Sequence, residues 1–204
     1  MDKSSYISLT EFMDYVNSSG TAKATVVIQA KRKREEGHSK MADYWMQFRN
    51  AVKSVHINSG SKDDLGEVIE QVSDERRENY QLAVNGYKKF WGRKRFTWVT
   101  PPRRIVSVGG TRVSINPEVG LEYGDMVYIV KFYLHVDGFL DKRHADLILA
   151  LMNDKLHDSL PDNTVFAVLD VMRGKLFEFK GDSYKITQLL EAEGASFNIL
   201  WDTL

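Results

Sequence analysis

Residues 104–134 read RIVSVGGTRVSINPEVGLEYGDMVYIVKFYL, and their spacing decides the fold class. Arg104–Val108 and Thr111–Ile115 are short β-branched runs joined by Gly109-Gly110, a dipeptide suited to the positive φ angles of a hairpin turn. After Asn116-Pro117 come Val119–Tyr123, a second turn at Gly124-Asp125, and the long run Met126–His135. The pattern predicts an antiparallel meander. Its last strand is apolar on both sides except at Lys131. A lysine there snorkels from an edge, pairs with a carboxylate, or serves a site.

Upstream the period is helical. Ser8-Leu-Thr-Glu11 has capping-box spacing ahead of Phe12, Met13, Tyr15 and Val16, and Gly20 closes that segment. Thr21 opens a second helix with Ala24, Val27, Ile28 and Lys31 on one side, ended by Gly37. Met41, Tyr44, Trp45, Phe48, Val52 and Val55 recur at three and four residues and predict a third. Ser59-Gly-Ser61 is a break, after which Asp63–Val72 predicts a fourth. A fifth runs from Ser73-Asp-Glu to Gly92, with Tyr80, Ala83, Val84, Tyr87 and Trp91 on one stripe and Lys88 and Lys89 pointing away. Those aromatics therefore read as core rather than as a platform for stacking bases. Phe96-Thr-Trp-Val-Thr-Pro-Pro102 marks the change of character, with Phe96 and Trp98 expected to pack between the two halves.

Downstream, Asp141 is placed to cap a helix whose buried stripe is Ala145, Ile148, Leu149, Met152 and Leu156. Thr164–Met172 is nearly all apolar and predicts a strand covered on both faces. Arg173-Gly174 turns it into Lys175–Phe179, and a last helical stretch from Ser183 to Trp201 is interrupted at Gly194. The expected fold is α+β. A helical N-terminal layer (residues 1–95) packs on a mixed, mainly antiparallel sheet with further helices (residues 96–204), in one compact domain over 1–204.

Composition narrows the classes. With 204 residues, 43% hydrophobic and 27% charged, the chain is long enough for a substantial core and is neither disordered nor collagen-like. The longest apolar run, Leu147–Met152, is far short of the roughly 20 residues of a membrane span. Absence of cysteine excludes disulfides, thiolate metal sites and a cysteine nucleophile. Residues 1–20 hold no continuous apolar stretch of the kind a secretion signal carries, so a cytoplasmic location is expected and the sequon Asn17-Ser-Ser19 is incidental.

The 28 basic and 28 acidic residues balance in total but not in place. The 39 residues between Glu78 and Glu118 contain no acid and eight bases: Lys88, Lys89, Arg93, Lys94, Arg95, Arg103, Arg104 and Arg112. Lys31-Arg-Lys-Arg34, by contrast, is followed at once by Glu35 and Glu36. Gly92 ends the fifth helix, so Arg93-Lys-Arg95 emerges at a C-terminus that favours cations, and Pro101-Pro102 returns Arg103 and Arg104 toward the same end. One positive surface built from Lys88, Lys89, Arg93, Lys94, Arg95, Arg103 and Arg104 is expected, with nucleic acid or another polyanion as its partner.

Nucleotide-binding glycine loops, the serine-hydrolase elbow and the His-Glu-x-x-His zinc motif are all missing. His135/Asp137 and His144/Asp146 are imidazole–carboxylate pairs; the first falls at a strand end and loop, and in the second, on a helix, residues two apart point about 200° apart and do not readily share an ion. No metal or cofactor is expected. Glu118, Glu122 and Asp125, on or beside strands and turns, are the carboxylates placed to act with Lys131.

The meander ending in Val127-Tyr-Ile-Val-Lys131, the helix Asp141–Leu156 and the strand Thr164–Met172 resemble, by element order over residues 75–180, the core of the PD-(D/E)XK nuclease superfamily. The resemblance implies an α-β-β-β-α-β core in which a third-strand lysine positions water and two acids hold magnesium. Lys131 matches that lysine and Pro117-Glu118 the Pro-Asp position, whereas Ile129 stands where the family places its second acid. The chain is also similar to a group of uncharacterised bacterial proteins sharing Gly86-Tyr-Lys-Lys-Phe-Trp-Gly-Arg-Lys94 and Asn116-Pro-Glu-x-Gly-Leu-Glu122. Three functions follow as expectations. The first is a non-catalytic binding or accessory protein that holds a polyanion on its basic surface. The others are a magnesium-dependent nuclease in which Glu122 or Asp125 replaces the missing acid, and a protein-interaction module.

Overall fold

In the computed structural model, which describes residues 6–35, 44–181 and 183–204, the chain opens with a two-residue strand β1 (Ile7–Ser8) and helix α1 (Leu9–Asn17). Ser8 starts α1 with both halves of a capping box: the Glu11 N–H donates to Ser8 Oγ at 3.1 Å, and the Ser8 N–H donates to the Glu11 carboxylate at 2.8 Å. Such a cap is worth about 1 kcal/mol. Helices α2 (Thr21–Glu35) and α3 (Met46–Ile57) follow. Gly37 and Met41, expected at their facing ends, lie outside the described residues.

The single helix expected over Asp63–Val72 is instead a 3-10 turn, Lys62–Gly66, and one turn of helix, α4 (Glu67–Glu70). Gly66 lowers helix propensity at the midpoint, and Asp64 is drawn into a capping box with Ser61. Helix α5 (Asp74–Trp91) buries Tyr80, Ala83, Val84, Tyr87, Phe90 and Trp91 and stops at Gly92, whose φ is 57°. Gly86 sits at mid-helix because a Cβ there would overlap the Val171 carbonyl.

Strands β2 (Thr97–Val99), β3 (Arg104–Val108), β4 (Thr111–Ile115), β5 (Val119–Tyr123) and β6 (Met126–Tyr133) come next, then α6 (Lys142–Leu156), β7 (Thr164–Asp170), β8 (Lys175–Glu178) and α7 (Tyr184–Thr203). The hairpin turns form as expected, with positive φ at Gly109, Gly110 and Gly124. The continuous meander does not. β3 and β4 join β1 in a three-stranded sheet ordered β1-β4-β3, while β5 and β6 belong to a five-stranded sheet ordered β2-β5-β6-β7-β8. Pro101-Pro102 and Pro117 flank the excluded hairpin, and residues without an N–H cannot carry a ladder across that boundary. β6 and β7 run parallel from Val127↔Thr164 to Tyr133↔Asp170, connected by α6, and every other pair in the five-stranded sheet is antiparallel.

Strand alternation gives this sheet two buried faces. Ile129, Phe166 and Val168 pack with α1, α2, α6, α7 and the small sheet; Val130, Phe132, Ala167 and Leu169 pack with α3, α4 and α5. The expected interruption of the last helix is absent, since α7 runs through Gly194. Glycine is there because a Cβ would overlap the Val108 carbonyl, and the close crossing lets Thr111 Oγ1 donate to the Gly194 carbonyl at 2.7 Å. Among the described residues no helix is long and apolar enough to cross a membrane.

Candidate polyanion-binding cleft

The end of α5 leaves carbonyls without helical partners, and cations supply them. Lys94 Nζ donates to the Phe90 carbonyl at 2.5 Å, and Lys62 Nζ, from the 3-10 turn, donates to the Gly92 carbonyl at 2.8 Å. The Lys94 ammonium also lies 5.2 Å from the Phe90 ring centre and 5.9 Å from that of Phe96. Behind these groups His56 stacks on Trp91 at 4.2 Å and shares a 2.8 Å hydrogen bond with the Tyr87 hydroxyl. Burial lowers the His56 pKa to about 4 and raises that of Tyr87 well above the phenol range, so both are neutral near pH 7. Phe96 stacks on Phe90 at 5.6 Å and meets Tyr123 edge-on at 5.8 Å, linking α5 to β5 as expected.

A cleft of about 460 Å³ opens between this helix end and the Ser59–Lys62 loop. Its wall carries four cations, Lys62, Arg93, Lys94 and Arg95, with His56, Trp91 and Phe96 behind them. Arg93 and Arg95 are exposed and make no hydrogen bond or ion pair with the described residues. Lys89 and Arg103 are likewise exposed and unpaired among those residues. Lys88 is committed to Asp63 at 3.1 Å. Arg104 reaches the Lys155 carbonyl, at 3.4 Å, on α6 and thus on the other side of the five-stranded sheet. The fold therefore gathers Arg93, Lys94 and Arg95 and adds Lys62, which the sequence reading had not included. Lys62 lies 30 residues from Gly92 in the chain, and no local pattern signals their contact.

Lys131 has a different environment. Its ammonium pairs with the Glu118 carboxylate at 2.6 Å, with side chains only 12% and 9% exposed. The second Glu118 oxygen accepts the Phe132 N–H at 2.6 Å, replacing the ladder acceptor that β5, beginning at Val119, does not extend far enough to provide. Glu122 stands opposite Val127, about 13 Å along β6 from Lys131, and Asp125 lies beyond it in the exposed turn. The four candidates thus resolve into one largely buried pair and two separate surface carboxylates. Ile129 is fully buried.

The histidine pairs are also dispersed. His135 stacks on Tyr133 at 4.3 Å, and Asp146 pairs with Lys142. Asp141 caps α6 as expected, accepting the His144 N–H at 2.8 Å. Among the described residues no three His, Asp or Glu side chains form a group that could hold a metal ion.

The chain matches no protein-family model and no curated protein.

Along β5 the two charged features sit at opposite ends. The Glu118–Lys131 pair lies at its start, and the cleft lies beside Thr97, which pairs with Glu122, about 13 Å away. The first is internally neutralised. The second presents positive charge to solvent.

Proposed function

We propose that this protein is a binding or accessory module that holds nucleic acid or another polyanion at the cleft beside the end of α5 and does not cleave it. The observation that carries this reading is the exposure of Arg93 and Arg95, without partners among the described residues, on the same wall as Lys62 and Lys94. Unpaired guanidinium groups around a concavity attract phosphates and release condensed counterions on binding.

Two further observations support a non-catalytic role. Glu118, at the position matching the nuclease acid, is spent on Lys131 and the Phe132 N–H, and Ile129 offers no ligand. Hydrolysis by that route needs an ion held by two carboxylates. A cytoplasmic setting suits the cysteine-free composition.

The test is the double reversal Arg93→Glu/Arg95→Glu. Lys94 is left intact because it caps α5, and reversing it would set a carboxylate against the helix carbonyls. Wild-type affinity for a generic oligonucleotide should fall by about 0.7–0.9 log units per tenfold salt for each phosphate neutralised. The reversal should flatten that slope while leaving the circular dichroism spectrum unchanged. No binding at low salt, or an unchanged slope, would count against the proposal and favour a protein-interaction module.

A further inference from the structure

The cleft is more than a charged surface. Its 460 Å³ falls in the range of about 300–1,000 Å³ typical of small-ligand sites. Behind the cations lie the half-buried ring of Phe96, stacked on Phe90, and the buried pair His56 and Trp91, only 4% and 9% exposed. His56 and Trp91 belong to the core, so Phe96 is the ring that a ligand in the cleft can reach. An aromatic wall behind phosphate-binding cations is the arrangement that holds unpaired bases, because every base has a face to stack regardless of its identity.

Duplex geometry does not suit this concavity. In a duplex the bases are already stacked inside, so a double helix would meet only the charges at the rim. An unpaired nucleotide has both a free base and a flanking phosphate. The loop that forms the opposite wall also stands out. Ser59 has φ 53°, the only positive φ at a non-glycine position among the described residues, a conformation that costs about 1 kcal/mol or more. Its side chain is exposed beside the cleft.

We infer that the cleft takes one unpaired nucleotide of a single-stranded nucleic acid, with its phosphates on Arg93, Arg95 and Lys62 and its base against the aromatic wall at Phe96. This rests on the polyanion-binding reading and narrows its ligand. Sequence preference is weak, since stacking and charge do not distinguish bases. Beyond the cleft, Arg104 faces a different layer and Lys88 is held by Asp63, so of the expected basic residues only Lys89 and Arg103 stay open to flanking phosphates.

The experiment compares three labelled probes by fluorescence anisotropy at one low salt concentration: a short deoxythymidine strand, an abasic strand with the same number of phosphates, and a duplex. The full chain should bind the thymidine strand about tenfold or more tightly than the other two. Phe96→Leu, which keeps an apolar side chain but removes the ring, should bring the thymidine strand to the abasic level, and Phe96→Tyr should retain the preference. If Phe96→Leu does not fold, the wild-type comparison of thymidine with abasic strand and the Phe96→Tyr variant still decide. Equal affinity for thymidine and abasic strands, or preference for the duplex, overturns the inference. Should those affinities still collapse in Arg93→Glu/Arg95→Glu, the broader polyanion reading survives; insensitivity to that reversal removes both.

Discussion

Lys31-Arg-Lys-Arg34 at the end of α2 and Arg93-Lys-Arg95 just after α5 have nearly the same composition, and each occupies a helix C-terminus, where cations are favoured. In the first run Arg34 is drawn into the packing and Lys31 and Lys33 find partners, while Arg32 is exposed and unpaired among the described residues. Arg34 donates to the Tyr6 carbonyl at 3.0 Å and the Ala30 carbonyl at 2.6 Å, and it lies 3.2 Å from Glu11 and 5.5 Å from the Trp201 ring centre. Lys33 pairs with the same Glu11 at 3.1 Å, and Lys31 approaches Trp201 at 5.7 Å. Burial works against the Glu11 carboxylate, but the Ser8 N–H, Arg34 and Lys33 together hold its pKa below the usual value. Among the described residues, the partners of Lys31, Lys33 and Arg34 include groups on α1 and α7. In the second run only Lys94 is engaged in this way. Basic sequence alone is therefore no evidence of a binding surface. What distinguishes Arg34 from Arg93 and Arg95 is that neighbouring elements bring acceptors to it.

The largest expected effect breaks the packing behind each run. Gly194→Ala would push α7, and with it Trp201, away from the β3–β4 hairpin, while Gly86→Ala would push α5 from the turn after β7. Each should cost about 3 kcal/mol or more, because the overlapping atoms are backbone and cannot rotate away. The two faces share one sheet, so calorimetry should show a single transition lowered by either change. Two separate transitions would mean that the two layers unfold independently.

Next comes the pH dependence of the wall behind the second run. His56 has a folded pKa of about 4 against an ordinary 6.5. Above pH 6.5 both folded and unfolded forms are neutral, and between 6.5 and 4 only the unfolded form takes the proton. Stability contributed by this site is thus present above 6.5 and lost as the pH falls to about 4, by ~3 kcal/mol in total. Chemical denaturation across that window should show the loss, and His56→Gln should flatten it.

The smallest effects sharpen the comparison directly. Arg34→Ala should destabilise by about 2 kcal/mol, through lost packing and charged hydrogen bonds, and leave oligonucleotide affinity unchanged. Arg95→Ala should change stability by no more than about 0.5 kcal/mol and weaken the oligonucleotide severalfold. Urea melts and anisotropy on the same two variants check both halves; a reversed pattern would exchange the roles assigned to the two runs.

The features legible in the sequence are those that neighbouring residues decide. The Ser8–Glu11 capping box, the Asp141 cap, the Gly109-Gly110 and Gly124-Asp125 turns, the buried stripe of α5 and the apolar β7 all follow from short-range spacing and turn chemistry. β1 and β2 were not legible, because two or three residues carry no period. Gly86 and Gly194 belong to helix interiors, and their reason lies in the carbonyls of Val171 and Val108 on other elements.

The candidate site divides in the same way. The acid-free stretch around Arg93-Lys-Arg95 and the odd lysine at position 131 were visible in the chain itself. That Lys131 has Glu118 rather than Glu122 or Asp125 for a partner depends on strand register, which sets which carboxylate comes within 2.6 Å. That Lys62 joins the arginines depends on the docking of a 3-10 turn against the end of α5. Helix stripes, caps and turns are written locally because each residue responds to partners within four positions. Charge becomes either internal packing or open surface only when distant segments meet, and those meetings are settled by the packing of layers on the sheet.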